Sequence, residues 1–162
     1  MSRKVIAGIA LTTALVVPVT GLGATAATAA PSKESKKSSA SRNLQAKAAV
    51  KELKSPYRKG SKSYSKWYAK QYMDVRYGWG AGQYKSLVKL WTKESNWSHK
   101  SHNGSSGAHG IPQSLPGSKM ASQGKDWRTN PETQIRWGLG YIKGRYGSPN
   151  AAWNHFRSHN WY

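Results

Sequence analysis

Glu94 stands in Leu90-Trp91-Thr92-Lys93-Glu94-Ser95-Asn96-Trp97, in a chain with six acidic side chains against 26 Lys and Arg. It follows Leu87, Leu90 and Trp91 by seven, four and three residues. At helical periodicity that spacing puts it beside an apolar stripe. The run ends near Ser95, so Glu94 belongs to the last turn, at the negative end of the helix dipole. The dipole and partial burial against indole rings both disfavour the ionised form and raise the pKa. A carboxyl that keeps its proton near neutral pH can donate it to a leaving oxygen. The competing role for a helical Glu is a surface ion pair, here with Lys93 or Lys89.

Glycosidic bonds are commonly cleaved between two carboxylates. The other acids after residue 62 are Asp74, Asp126 and Glu132. Asp74 reads as a helix-surface residue and Glu132 as part of a helix start. Asp126, in Gly124-Lys125-Asp126-Trp127, is the one plausible partner, with a turn or capping role preferred. The pattern is that of a one-acid site, or of a carboxyl that binds without donating. The chain has no cysteine, which excludes thiol catalysis and zinc–thiolate sites. His99, His102 and His109, and the pair His155 and His159, are unaccompanied by carboxylates. No metal and no cofactor are expected.

The elements that must hold Glu94 are helices. Tyr64, Trp67, Tyr68, Tyr72 and Val75 recur at helical spacing until Gly78. A second helix runs from about Gln83 to Ser95. Residues 98–115 are rich in Gly, Ser, His and Asn and predict a loop, with room for a small hairpin. A helical turn is expected around Met120. Thr129-Asn130-Pro131-Glu132 starts the clearest helix, with capping side chains, Pro in the first turn and an acid at the positive end. Its stripe is Ile135, Leu139, Ile142 and Tyr146, and Gly147 stops it. Ala151 to Arg157 forms a last short helix. The fold class is mostly α. Eight Trp and nine Tyr supply the bulk that a cysteine-free core needs. Trp67, Trp79, Trp91 and Trp137 are assigned to that core.

The first 29 residues have the make-up of a signal peptide: Ser2-Arg3-Lys4, an apolar stretch from Val5 to about Gly23, then small residues. Cleavage is expected before Ala30, with Ala24-Thr25-Ala26 as second choice. A membrane anchor is the rival, disfavoured by the short apolar run broken at Pro18 and Gly21. Residues 30–62 are Lys-, Ser- and Ala-rich and read as a flexible basic linker, with transient helix over Asn43 to Leu53. They hold ten basic and two acidic side chains, and the remaining residues to 162 hold fourteen and four. A net charge of +20 attracts polyanions. For a secreted chain these are anionic wall polymers rather than a specific nucleic acid.

From about Tyr77 to Tyr162 the chain resembles secreted actinobacterial transglycosylase-like domains, part of the soluble lytic transglycosylase and goose-type lysozyme group. Leu90 to Trp97 resembles the Glu-Ser motif of that group. Ser105-Ser106-Gly107-Ala108-His109-Gly110-Ile111-Pro112-Gln113 resembles its Gly-Ala-x-Gly-(apolar)-x-Gln motif, and Asn130 to Pro149 its following long helix. Ala152-Trp153-Asn154 resembles an Ala-Tyr-Asn motif, with Trp in place of Tyr. The resemblance implies a lysozyme-like domain over 63–162, with Glu94 as catalytic acid. It implies a peptidoglycan cleft with substrate contacts at Ser95, Trp97, Ser106, Gln113 and Trp153. For Trp97 and Trp153, core packing is the preferred role, since a cysteine-free domain needs the bulk. The implied bond is the β-1,4 link between N-acetylmuramic acid and N-acetylglucosamine, opened either to a 1,6-anhydro sugar or by water. A wall protein that binds glycan without cutting it is the alternative. The implied setting is a secreted, wall-associated monomer, with the basic linker on anionic wall polymers. Relatives carry cysteines where Ser86 and Asn150 stand, so a disulfide implied for them is absent here.

Overall fold

A computed structural model describes residues 33–162 of the chain. The expected signal peptide over 1–29 lies outside the described residues. The architecture is mostly helical: α1 (Lys33–Glu52), α2 (Lys62–Tyr77), α3 (Ala81–Ser95), a 3-10 segment (Gly117–Gln123), α4 (Pro131–Tyr146) and α5 (Pro149–His159).

The stretch expected to be a flexible linker contains α1, which packs on α2. Two small apolar side chains one turn apart, Ala46 and Val50, are buried there. Arg76 of α2 reaches back to α1, donating from Nε to Asn43 Oδ1 at 2.6 Å and from a terminal nitrogen to Ser39 Oγ at 3.1 Å. The Lys/Ser/Ala composition concealed this helix. Its apolar face is only two residues wide, and its polar anchors lie on another element.

Ser61 caps α2 by accepting from the Tyr64 N–H, and Gly78 closes it in the left-handed region at φ 65°. Tyr64, Tyr68 and Tyr72 repeat every four residues and stack along the buried face, with centroids 6.3 and 5.8 Å apart. Val75, expected on that face, is half-exposed. α3 buries Leu87, Leu90 and Trp91 and packs mainly against α5. Asn130 caps α4 at the Glu132 N–H, and Ser148 caps α5 at the Ala151 N–H. Ile135, Leu139 and Ile142 are fully buried, whereas Tyr146 is only partly so. The Asn150 N–H donates to Gln83 Oε1 at 2.9 Å and ties the start of α5 to α3.

The glycine-rich loop forms isolated bridges, His102 with His109 and His109 with Ser114, rather than strands. Fully buried Gln134 of α4 holds it in place. Gln134 Oε1 accepts from the Ile111 N–H at 3.0 Å, and its Nε2 donates to the carbonyls of His99 and Trp127 at 3.0 and 2.8 Å. Gly110 sits against that amide at φ 75°, and a Cβ there would collide with it. At Gly138 a Cβ would stand 2.7 Å from the Trp91 ring and 2.9 Å from Pro112. Its absence lets α4 press the loop against α3, which brings Pro112 and Gln113 toward the end that carries Glu94.

Candidate active site

Glu94 is the penultimate residue of α3. The helix ends abruptly because Asn96 and Trp97 both adopt left-handed backbone, at φ 50° and 61°. Their N–H groups donate back to the carbonyls of Thr92 and Trp91. Among the described residues Glu94 accepts no hydrogen bond from the protein and makes no ion pair, so neither Lys89 nor Lys93 neutralises it. Burial alone pushes its pKa from about 4.5 up to about 7.

Among the described residues, Asp126, Glu132 and Asp74 are each placed elsewhere and do not serve it as a second carboxylate. Asp126 accepts from Asn130 at 2.6 Å and from Thr133 at 2.7 Å, and the Asn130 contact leads in holding its carboxyl below the usual range. It serves the start of α4. Glu132 accepts from the Tyr64 hydroxyl at 2.6 Å and pairs with Lys59 at 2.9 Å. Asp74 is exposed on α2.

Of the residues expected to contact substrate, Gln113 is the one that lines a recess, and that recess is linked to the acid through Tyr162, which lines it and feels the Glu94 charge. This cavity, about 110 Å³, is lined by Pro112, Gln113, Trp137, Tyr141 and Tyr162 together with Ser114, Leu115 and Lys119. Gln113, at φ 50°, donates from Nε2 to the Gly110 carbonyl at 2.9 Å. That leaves one amide hydrogen and Oε1 for a ligand. Ser95 does not orient the acid. Its Oγ donates to the Ile111 carbonyl at 2.8 Å and ties α3 to the loop. Trp97 is not a sugar platform: it is fully buried, edge-on to Trp91 at 5.2 Å, with Nε1 donating to the Val88 carbonyl. The left-handed turn at the end of α3 carries it inward. Ser106 is exposed and local, its N–H on Asn103 and its Oγ accepting from the Ala108 N–H. Trp153 stacks on Phe156 at 5.7 Å and packs against the core, away from the Gln113 recess.

Trp137 reverses its expected role. It is only partly buried and stacks nearly parallel on Tyr141, 5.4 Å between centroids, along the recess. α4 turns Ile135 and Leu139 inward, and the intervening position faces the groove.

Tyr162 was not foreseen. Its hydroxyl accepts from Trp91 Nε1 at 2.8 Å and donates to the Pro112 carbonyl at 3.0 Å. Burial first, then the nearby Glu94 charge, raise its pKa well above the usual phenol range. Its ring meets Tyr141 at 5.9 Å and Tyr146 at 6.2 Å. Tyr162 therefore connects the acid, the buried tryptophan and the recess. It follows the left-handed Asn160 that closes α5, so no helical periodicity marked it.

The geometry presents one carboxyl able to hold or release a proton near pH 7, and near it a phenol that also borders a recess lined by an amide and two stacked rings. No protein-family model, no curated protein and no solved structure matches this chain.

Proposed function

We propose that this chain is a secreted, lysozyme-like enzyme of the bacterial wall. It cleaves the β-1,4 bond between N-acetylmuramic acid and N-acetylglucosamine with Glu94 as its single acid and base. The observation that carries this is the state of Glu94: half-buried, unpaired among the described residues, and with a pKa raised by burial to about 7. Such a carboxyl is protonated often enough at neutral pH to donate, and ionised often enough afterwards to accept.

In the first step the Glu94 proton passes to the glycosidic oxygen as the bond from that oxygen to the muramyl anomeric carbon breaks. The positive charge that develops on the sugar faces the new Glu94 carboxylate. In the second step that carboxylate takes the proton from the muramyl 6-hydroxyl, whose oxygen closes on the anomeric carbon. Glu94 is restored and a 1,6-anhydro end is formed. The substrate supplies the nucleophile, which suits a site where Asp126 and Glu132 are engaged elsewhere. Gln113 offers its spare amide hydrogen and Oε1 to an N-acetyl group, and Trp137 with Tyr141 offers a flat apolar surface to a sugar ring.

The test is muropeptide release from purified peptidoglycan, with the products weighed by mass spectrometry. Release by the wild-type chain and none by folded Glu94→Gln is expected, with anhydro ends. Reducing ends would replace the 6-hydroxyl by water and leave the role of Glu94 intact. Equal release by both proteins would sink the proposal.

A further inference from the structure

The recess at Gln113 shares part of its wall with a second, larger cavity. Trp137 and Tyr141 line both, and the second, of about 410 Å³, runs along α4 past Gly140 and Gly144 to Arg76 and Lys143. Ser39 and Asn43 of α1 form part of its wall. α1 and nearly all of α2 lie before Tyr77, outside the segment that resembles transglycosylase-like domains, so the resemblance does not imply this groove.

Three features give its chemistry. First, it is cationic. Among the described residues neither Arg76 nor Lys143 pairs with a carboxylate. Arg76 spends Nε and one terminal nitrogen on Asn43 and Ser39, which orients the guanidinium and leaves its other terminal nitrogen without a protein partner. Second, it shares with the recess two stacked aromatic rings, which suit the apolar face of a sugar. Third, its floor is open. A Cβ on Gly144 would meet nothing within 4 Å, and one on Gly140 would meet only the Tyr77 hydroxyl at 3.8 Å. Packing within the protein does not require glycine at either place, although glycine weakens a helix.

We propose that this groove binds carboxylates on the same strand that Glu94 cleaves, namely the acidic peptide stems carried by muramic acid. Arg76 and Lys143 receive the carboxylates while Trp137 and Tyr141 hold the neighbouring sugar. The Trp137–Tyr141 wall that the groove shares with the Gln113 recess selects the strand under cleavage over a separate polyanion. The proposal rests on the peptidoglycan reading of the site.

The experiment measures binding of the full chain carrying Glu94→Gln, so that strands stay uncut. Two substrates are compared at fixed ionic strength: glycan strands with intact stems, and strands stripped of stems by an amidase. Adding Lys143→Gln should weaken binding to intact strands by about 3- to 10-fold, the range for losing one partly exposed charged contact. It should leave stripped strands unaffected. Gly144→Leu, which fills the floor, should weaken intact-strand binding while the unfolding midpoint stays level or rises. Lys37→Gln, on exposed α1 surface outside the groove, controls for general charge. Equal losses on both substrates would overturn the proposal, as would Lys143→Gln binding like the parent. So would teichoic acid, a phosphate polymer, displacing intact strands from the parent but not from Lys143→Gln. Muropeptide release by the wild-type chain is scored separately. Stem-dependent binding without any release would sink the enzyme reading and keep the groove.

Discussion

Glu94→Gln should stabilise the protein at alkaline pH and leave it nearly unchanged in acid. The glutamine keeps the shape of the side chain and removes only its ability to ionise. In the folded chain burial raises the Glu94 pKa from about 4.5 to about 7. Below the lower value the carboxyl is neutral whether the chain is folded or unfolded, and ionisation costs nothing. Between the two values the unfolded chain releases the proton while the folded one retains it, so stability falls as pH rises. Above about 7 both states are ionised and the full penalty applies. A shift of this size corresponds to about 3 kcal/mol, and water reaching the half-buried carboxyl reduces it to about 2 kcal/mol. Urea unfolding of both proteins at pH 4, 6 and 8.5 measures it. The advantage of Glu94→Gln should grow across the series, mostly between pH 5 and 7.5. The remaining side chains are the same in both proteins and cancel in the difference. Any packing defect from the amide adds a constant offset. A difference that does not change with pH would refute the claim that burial holds the proton, whatever the activity data show.

Tyr162→Phe strands the Trp91 indole N–H and the Pro112 carbonyl, which should cost about 1–3 kcal/mol in urea unfolding and reduce muropeptide release. Trp137→Ala should destabilise the chain far less than Trp91→Ala, which removes a fully buried ring at about 3–5 kcal/mol, yet only Trp137→Ala should weaken glycan binding while the fold persists. Asp126→Ala should cost about 1 kcal/mol at pH 7, as for a lost cap, with activity at permissive temperature retained. Because the folded Asp126 pKa is depressed, that cost is present above the unfolded pKa and fades as pH falls below it. Asn43→Ala should loosen α1 from Arg76 and Tyr72, seen as faster amide exchange within 33–52 while α3 to α5 stay protected.

The helices of the body were legible because each carries its own punctuation. Asn130-Pro131-Glu132 and Gly147 bracket α4, and Gly78 ends α2. Glu94 was legible for the same reason: its spacing from Leu87, Leu90 and Trp91 placed it in a last turn beside an apolar face. Long-range arrangements were not. Trp97 took the core role preferred for it, whereas Trp137, expected in the core, lines the groove. For Trp97 two consecutive left-handed residues at the end of α3 decided which way the ring faces, and no local signal marks a tryptophan in that conformation. For Trp137 the partner is Tyr141 on the same helix, and the groove beyond is formed by α1 and α2, dozens of residues earlier. α1 itself was hidden because its docking uses two small apolar residues and an asparagine that Arg76 selects.

The distribution of charge follows a physical requirement. A lysine close to Glu94 would stabilise the carboxylate and pull the pKa down, opposing burial. In a chain with a formal charge of +20 such a neighbour is the easy outcome. Yet burial is the cause of the raised value, and Lys89 and Lys93, on the same helix, stay exposed and unpaired with it. Lys119, at the Gln113 recess, gives its ammonium to the Leu115 carbonyl, while Arg76 and Lys143 border the groove along α4. Attraction of an anionic strand and retention of a proton demand opposite surroundings, and the fold meets both by separating them. Tyr162 sits at the join, its phenol kept neutral by burial and by the Glu94 charge. It closes off the acid with a group that adds no charge of its own. A lysine at an exposed position beside Glu94 would raise the overall attraction and lower the pKa together. The alkaline limb of the activity profile, set by loss of the Glu94 proton, would then move down in pH, although the chain had become more cationic.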